Sequence, residues 1–121
     1  MAQVLVVDDN AVMRTVMRVA LEKAGHKVSM AEDGERALKA AADGSFDLVI
    51  TDIQMPKMDG VDLVQQLRKA RPQAKVLVIS GRVEGAELQG MTSSKTLGAS
   101  GSLEKPFTAD RLVSKVAELL S

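Results

Sequence analysis

The sequence predicts an α/β domain in which a five-stranded parallel sheet is covered by helices on both faces. Short apolar runs alternate with helical patterns five times along the 121 residues, at nearly even spacing. Strands that alternate with helices are typical of parallel sheets, because each helix carries the chain back to the start of the next strand. The length suits one domain over residues 1–121, and neither a linker nor a repeat divides the chain.

The first predicted strand and helix meet at a turn-prone acidic triplet. The apolar run Val4–Val7 stops at Asp8-Asp9-Asn10, and a helical pattern follows, with Asn10 as the predicted N-cap and Gly25 as the stop. We expect the apolar face of this helix to consist of Val12, Met13, Val16, Met17, Ala20, Leu21 and Ala24. The charged residues Arg14, Arg18, Glu22 and Lys23 are expected to face away from it.

A short second strand at 27–31 leads through Asp33-Gly34 into a second helix that ends near Gly44. The aliphatic run 48–50 then predicts a strand buried on both faces, and it is followed by a third helix that stops before Pro72.

The last third of the chain predicts two more strands and a final helix. Residues 76–79 form another buried apolar run, and a short strand at 101–104 precedes a helix capped by Thr108. Residues 84–98 contain glycines, serines and few apolar anchors, so a fourth helix there has weak intrinsic support.

Composition excludes several classes of function. Sixteen basic and sixteen acidic residues cancel, so no strong field attracts nucleic acid or an anionic membrane. The absence of cysteine excludes disulfides and thiolate chemistry, and the lone His26 cannot build a histidine metal cluster. Two Phe and no Trp or Tyr leave no stacking platform for bases or flavins. Without an apolar span or a signal peptide, we expect a cytoplasmic protein without membrane contact.

The residues that carry chemistry follow the predicted strands, at their carboxyl ends: Asp8 and Asp9 after the first, Asp52 after the third, Ser80 after the fourth and Lys105 after the fifth. In a parallel sheet these ends share one edge, where open α/β sheets place their ligands. Three carboxylates at such short distances repel one another, and a divalent cation that prefers oxygen ligands, such as Mg²⁺, relieves the repulsion. The cation and Lys105 would neutralise a phosphoryl group, Ser80 would bond its oxygens, and Asp52 would act as nucleophile.

Each of these residues alone has an ordinary structural explanation. An Asp-Asp pair is more often a helix cap than a metal site, a serine at a strand end is often a satisfied hydroxyl, and Lys-Pro is usually a surface turn. Their coincidence on one sheet edge favours the functional interpretation.

The motif "DIQMPKMDG" after the third strand, with the acidic pair and "KPF", resembles bacterial two-component response-regulator receiver domains. The resemblance covers essentially the whole chain and is to stand-alone domains of the chemotaxis-regulator type. It implies a flavodoxin-like three-layer fold with strand order 2-1-3-4-5 and five helices. It also implies that the Lys105-Pro106 bond is cis, an isomer that only X-Pro bonds adopt at low cost.

The resemblance implies a role for each site residue. Asp52 matches the phosphoacceptor, Asp9 and Asp52 match direct Mg²⁺ ligands, and Asp8 matches an acid that acts through a metal-bound water. Gln54 matches the ligand that offers its backbone carbonyl. Ser80 and Lys105 match the hydroxyl and the ammonium that contact the phosphoryl group.

The resemblance also implies partners. A sensor histidine kinase or a phosphotransfer protein would supply the phosphoryl group, and self-catalysed hydrolysis, tuned at Gln54 and Arg82, would remove it without enzymatic turnover of another substrate. Output would pass to an unknown protein target through the face made by the fourth helix, fifth strand and fifth helix. The balanced charge and the absence of a second domain predict no direct DNA binding.

One position departs from the pattern. Ser102 stands where relatives usually carry the Tyr or Phe that swings inward on phosphorylation. We therefore expect output to depend on the ordering of residues 84–98, with the alternative that Ser102 is a tolerated surface residue.

Two other functions remain open from the sequence: a Mg²⁺-dependent phosphatase and a phosphorylation-independent interaction module. The phosphatase would need a cap or pocket for its substrate, for which 121 residues leave little room.

Overall fold

A computed structural model of the chain describes residues 2–52, 60–70, 74–80, 100–105 and 107–121. The strands are β1 (Gln3–Val7), β2 (Lys27–Ala31), β3 (Leu48–Asp52), β4 (Lys75–Ser80) and β5 (Gly101–Glu104). The helices in the described ranges are α1 (Ala11–Lys23), α2 (Gly34–Asp43), α3 (Gly60–Ala70) and α4 (Ala109–Leu120). The described residues thus contain four helices where five were predicted, and the predicted helix at 84–98 lies outside them.

The five strands form one parallel sheet in the order β2-β1-β3-β4-β5, which confirms the predicted flavodoxin-like order. The central strand β3 is buried at all five of its positions. Its branched aliphatic residues suit a strand that is covered on both faces, where no polar alternation is needed.

Two apolar layers flank the sheet. Val4 and Val6 of β1 face α1 and α4, whereas Leu5 and Val7 face α2 and α3, because successive side chains of a strand point to opposite faces. The first layer is completed chiefly by Met17, Leu21, Leu48, Ile50, Leu77, Ile79, Leu103, Leu112 and Val116. The second is completed by Ala31, Ala37, Ala41, Val49, Leu63 and Leu67. The predicted three-layer arrangement is confirmed.

Helix α1 begins where the sequence predicts. The Asn10 side chain accepts a hydrogen bond from the Met13 N–H at 3.1 Å, and the helix ends one residue before Ala24, the C-cap. Gly25 follows with a φ of 96°, a left-handed conformation that glycine adopts without steric cost.

The predicted apolar face of α1 was partly wrong. Val12 is 73% exposed and Val16 is 50% exposed, whereas Met17 and Leu21 are fully buried. At about 3.6 residues per turn, Val16 lies about 100° and Val12 about 140° around the helix from Met17. Helical spacing predicted the helix correctly, but it predicted a wider buried face than the structure has.

The other helix starts also depend on side-chain caps. The Asp33 carboxylate accepts from the Arg36 N–H at 2.8 Å at the start of α2. The Thr108 hydroxyl accepts from the Arg111 N–H at 3.1 Å at the start of α4, as predicted. None of the helices in the described ranges is long and apolar enough to cross a membrane.

Candidate functional site

Three carboxylates meet at the carboxyl edge of the sheet. Val7 of β1 lies beside Thr51 of β3, so Asp8, the next residue along, reaches the level of Asp52. One oxygen from each of Asp8, Asp9 and Asp52 can be chosen so that all three lie within 4.8 Å of one another. Asp8 and Asp52 are buried and Asp9 is exposed, so the cluster has a closed side and an open side.

Lys105 reaches this cluster from the end of β5. Its Nζ lies 2.6 Å from Oδ2 of Asp52, to which it donates a hydrogen bond, and 3.7 Å from Oδ2 of Asp8. Because β4 lies between β5 and β3, the lysine side chain spans the end of one strand to reach its partner. Its side chain remains 27% exposed, so the ion pair borders solvent.

The electrostatics of the cluster are unbalanced. Burial raises the pKa of Asp8 above its usual range, and the carboxylates of Asp52 and Asp9 raise it further. The Asn10 N–H and the Lys105 ammonium act against this shift without cancelling it. Burial alone would lower the pKa of Lys105, but its hydrogen bond to Asp52 and the three nearby negative charges together raise it.

The donor set fits a small, hard divalent cation. Oδ1 of Asp8 accepts a hydrogen bond from the Asn10 N–H at 2.9 Å, whereas Oδ2 is buried and accepts none from the described residues. A buried carboxylate oxygen without a hydrogen bond is costly, and a cation beside it would remove that cost. Carboxylate oxygens are the ligands that Mg²⁺ prefers.

The structure therefore brings four predicted site residues together: Asp8, Asp9, Asp52 and Lys105. Ser80 is the last residue of β4, on the same edge, opposite Glu104 of β5. Ser102 lies in β5 opposite Val78 and is half-buried. Gln54, Arg82 and Pro106 lie outside the described residues, and the individual roles assigned to the site residues stay predictions.

Sequence reasoning missed Arg14. It was expected to face away from the apolar side of α1, but its Nη1 donates a hydrogen bond to the backbone carbonyl of Asp8 at 2.6 Å. The available signal was its place one turn after the N-cap Asn10. A long side chain in the first turn points back toward the helix N-terminus, so Arg14 is within reach of the preceding strand end.

Comparison with known proteins gives the family. Residues 4–117 match the response regulator receiver domain family. The chain belongs to this family. The receiver fold is shared with the chemotaxis protein CheY4 of Vibrio cholerae, which is 33% identical, with a TM-score of 0.88 and 99% of each chain covered. A CheY-like receiver domain protein of Methanospirillum hungatei JF-1 is 28% identical, with a TM-score of 0.91 over 99% of this chain and 94% of that one.

Curated relatives are longer than this receiver domain. The DNA-binding transcriptional regulator NtrC of Azospirillum brasilense is 36% identical over 99% of this chain, which covers 24% of that protein. The response regulator MprA of Mycobacterium sp. strain KMS is 33% identical over 98% of this chain, which covers 50% of that protein. The chain thus spans half or less of the length of these two relatives. The resemblance to receiver domains inferred from the motifs is confirmed, and the expectation of a stand-alone domain stays a prediction.

Proposed function

We propose that this receiver domain accepts a phosphoryl group on Asp52 from a phosphohistidine of a sensor histidine kinase or a phosphotransfer protein. The observation that carries the proposal is the contact of 2.6 Å between the Lys105 ammonium and the buried Asp52 carboxylate, inside a cluster of three acids. Family membership supports the class of donor, since receiver domains act in two-component signalling.

The proposed reaction is an in-line transfer. An oxygen of Asp52 attacks phosphorus and forms an O–P bond while the N–P bond of the phosphohistidine breaks, and its electron pair stays on the imidazole nitrogen. Lys105 lies beside the attacking carboxylate and would neutralise charge on the phosphoryl oxygens. The Ser80 hydroxyl is proposed to donate to one of the same oxygens.

The transfer is proposed to depend on Mg²⁺. Asp8, Asp9 and Asp52 would hold the ion, with the backbone carbonyl of Gln54 as a further ligand. When bound, the ion supplies positive charge that offsets both the acid cluster and the phosphoryl oxygens.

We propose that the phosphorylated domain signals by protein–protein docking or by phosphorelay, in the cytoplasm, through a face that includes β5 and α4. We propose no turnover of an external substrate, only transfer to Asp52 and self-catalysed hydrolysis. The curated relatives include a DNA-binding regulator, but direct DNA binding is not proposed for these residues, because their basic and acidic side chains cancel.

The test is intact-mass measurement after incubation with Mg²⁺ and an acyl phosphate such as acetyl phosphate. The wild type should gain the mass of one phosphoryl group, and Asp52→Ala should gain none. Asp43→Asn, which alters an exposed acid at the end of α2, should behave like the wild type.

The same experiment separates the other functions. An unmodified wild type would contradict the proposal and favour a phosphorylation-independent interaction module. Hydrolysis of a phosphate monoester in molar excess over protein, lost in Asp52→Ala, would instead favour a phosphatase.

A further inference from the structure

Asp8 is held by hydrogen bonds that come from outside the acid cluster. Its N–H donates to the Ala31 carbonyl of β2 at 3.2 Å, and its Oδ1 accepts from the Asn10 N–H at 2.9 Å. Its own carbonyl accepts from Arg14 at 2.6 Å. Of the four polar groups of Asp8, only Oδ2 is left to face the cluster.

The bond from Arg14 differs from the other two because its donor is a charged side chain. Bonds from a guanidinium are shorter and stronger than bonds between neutral groups, and the observed 2.6 Å is slightly shorter than the usual N–H···O distance of about 2.7 to 3.2 Å. Arg14 is half-buried and forms no ion pair with any carboxylate in the described ranges. Its contact with the Asp8 carbonyl is therefore not a by-product of a surface salt bridge.

That carbonyl belongs to the peptide group that joins Asp8 to Asp9. The Asp9 carboxylate is exposed, and within the described part of the chain it accepts no hydrogen bond of its own. Its position therefore depends on the backbone that precedes it. A guanidinium that fixes the 8–9 peptide fixes the direction in which Asp9 leaves the strand end.

We infer that Arg14 is a positioning residue for cation binding: by holding the peptide between Asp8 and Asp9 it aims both carboxylates at one point. This inference rests on the proposed Mg²⁺ site. Groups that orient metal ligands without touching the metal commonly change metal affinity by about 10- to 100-fold when they are removed.

A purely electrostatic role for Arg14 predicts the opposite sign. A positive charge near the acid cluster repels a divalent cation, so removing the charge alone would tighten binding. Removing a positioning bond would weaken it. Arg14→Met removes charge and bond, whereas Arg14→Lys keeps the charge but loses the planar geometry of the guanidinium.

The experiment measures the Mg²⁺ dissociation constant by isothermal titration calorimetry on metal-free protein at constant ionic strength. We expect both Arg14→Met and Arg14→Lys to weaken binding, by about tenfold for Arg14→Met. The matched control is Arg18→Met, one turn further along α1, where the guanidinium bonds Glu22 at 3.4 Å instead of the strand end. It should leave the constant unchanged.

A second measurement reports on the peptide itself. The amide of Asp9 belongs to the peptide whose carbonyl accepts from Arg14, so its ¹H–¹⁵N signal in metal-free protein should shift in both Arg14 variants but not in Arg18→Met. Arg14→Lys keeps this readout available if Arg14→Met does not fold.

The outcomes are distinguishable. Wild-type protein that binds no Mg²⁺ would refute the proposed metal site itself. Wild-type binding that is equalled or exceeded by both Arg14 variants would leave that site intact and overturn the positioning role.

Discussion

Replacing Asp8 by Asn removes one of three negative charges that the fold holds together, with almost no change in side-chain size. At 4.8 Å, the upper limit of the separations between the chosen oxygens, and an effective dielectric constant of about 20, each acid–acid pair costs about 3.5 kcal/mol. The attraction between Lys105 and Asp8 at 3.7 Å returns about 4.5 kcal/mol. Asp8 takes part in two repulsive pairs and one attractive pair. After screening at the exposed side of the cluster, the metal-free variant should be more stable by about 2 kcal/mol.

The pH dependence of this gain follows from the direction of the pKa shift. Burial raises the pKa of Asp8 above its ordinary value of 3.8, so the native state binds a proton more tightly than the unfolded chain. The wild type therefore loses stability as pH rises from about 4 through the raised native pKa. The extra stability of Asp8→Asn over the wild type should be small below pH 3.8, grow as pH rises to the raised native pKa of Asp8, and stay constant above it.

The assay is urea unfolding in EDTA at a series of pH values, followed by far-ultraviolet circular dichroism, because the chain has no Trp or Tyr for fluorescence. Added Mg²⁺ should reduce or reverse the advantage, because the wild type keeps all three acids and should bind the ion more tightly than Asp8→Asn. Binding stabilises a folded protein by about 2.7 kcal/mol at one hundred times its dissociation constant. Asp43→Asn is the control for net charge and should change stability by no more than about 0.5 kcal/mol. Equal stability of wild type and Asp8→Asn at every pH would refute the reasoning, because Lys105 would then compensate the cluster fully.

Two further predictions concern the end of β5 and the start of α4. Lys105→Met should destabilise the metal-free protein by about 2 kcal/mol, because it leaves Asp8 and Asp52 buried without their cation. Adding Asp52→Asn to this variant should restore most of the lost stability. Urea midpoints of the single and double variants test this, and additive effects of the two substitutions would contradict it. Thr108→Ala should lower the free energy of unfolding by about 1 kcal/mol, because it removes the hydrogen bond from the Arg111 N–H, whereas Thr108→Ser should lower it much less. Equal thermal midpoints of the two variants would show that the cap contributes nothing.

Local patterns predicted most of the fold. Short aliphatic runs such as Leu48–Ile50, which end at turn residues, favour a covered strand. Polar residues such as Asn10 and Thr108 mark helix starts because their side chains replace the missing backbone acceptors. What periodicity could not decide was how wide a strip of α1 the sheet would cover. The exposure of Val12 depends on how α1 sits against its neighbours, which is a tertiary property.

The site was predictable to the level of which residues share an edge, because parallel strands end on the same side. Topology placed Asp8, Asp52 and Lys105 together, but it did not determine that Lys105 pairs at 2.6 Å with Asp52 and stands at 3.7 Å from Asp8. Those distances depend on strand register and side-chain rotamers. Arg14 was missed for a related reason: helical periodicity assigns a residue to a face, and says nothing about a long side chain that reaches back past the helix start.

The position of Lys105 also suggests how phosphorylation of Asp52 could change the structure outside the site. Lys105 donates a hydrogen bond to Oδ2 of Asp52, the carboxylate that would carry the phosphoryl group, so we expect modification of Asp52 to change the partner of this lysine. Lys105 directly follows β5, and β5 lies against the last turn of α4. Thr108 caps its start three residues later, and at Gly101 an added Cβ would lie 3.2 Å from the Leu119 side chain. The start of β5 packs closely against the last turn of α4, and Lys105 lies three residues before the residue that caps α4, so we expect a change of partner at Lys105 to displace α4.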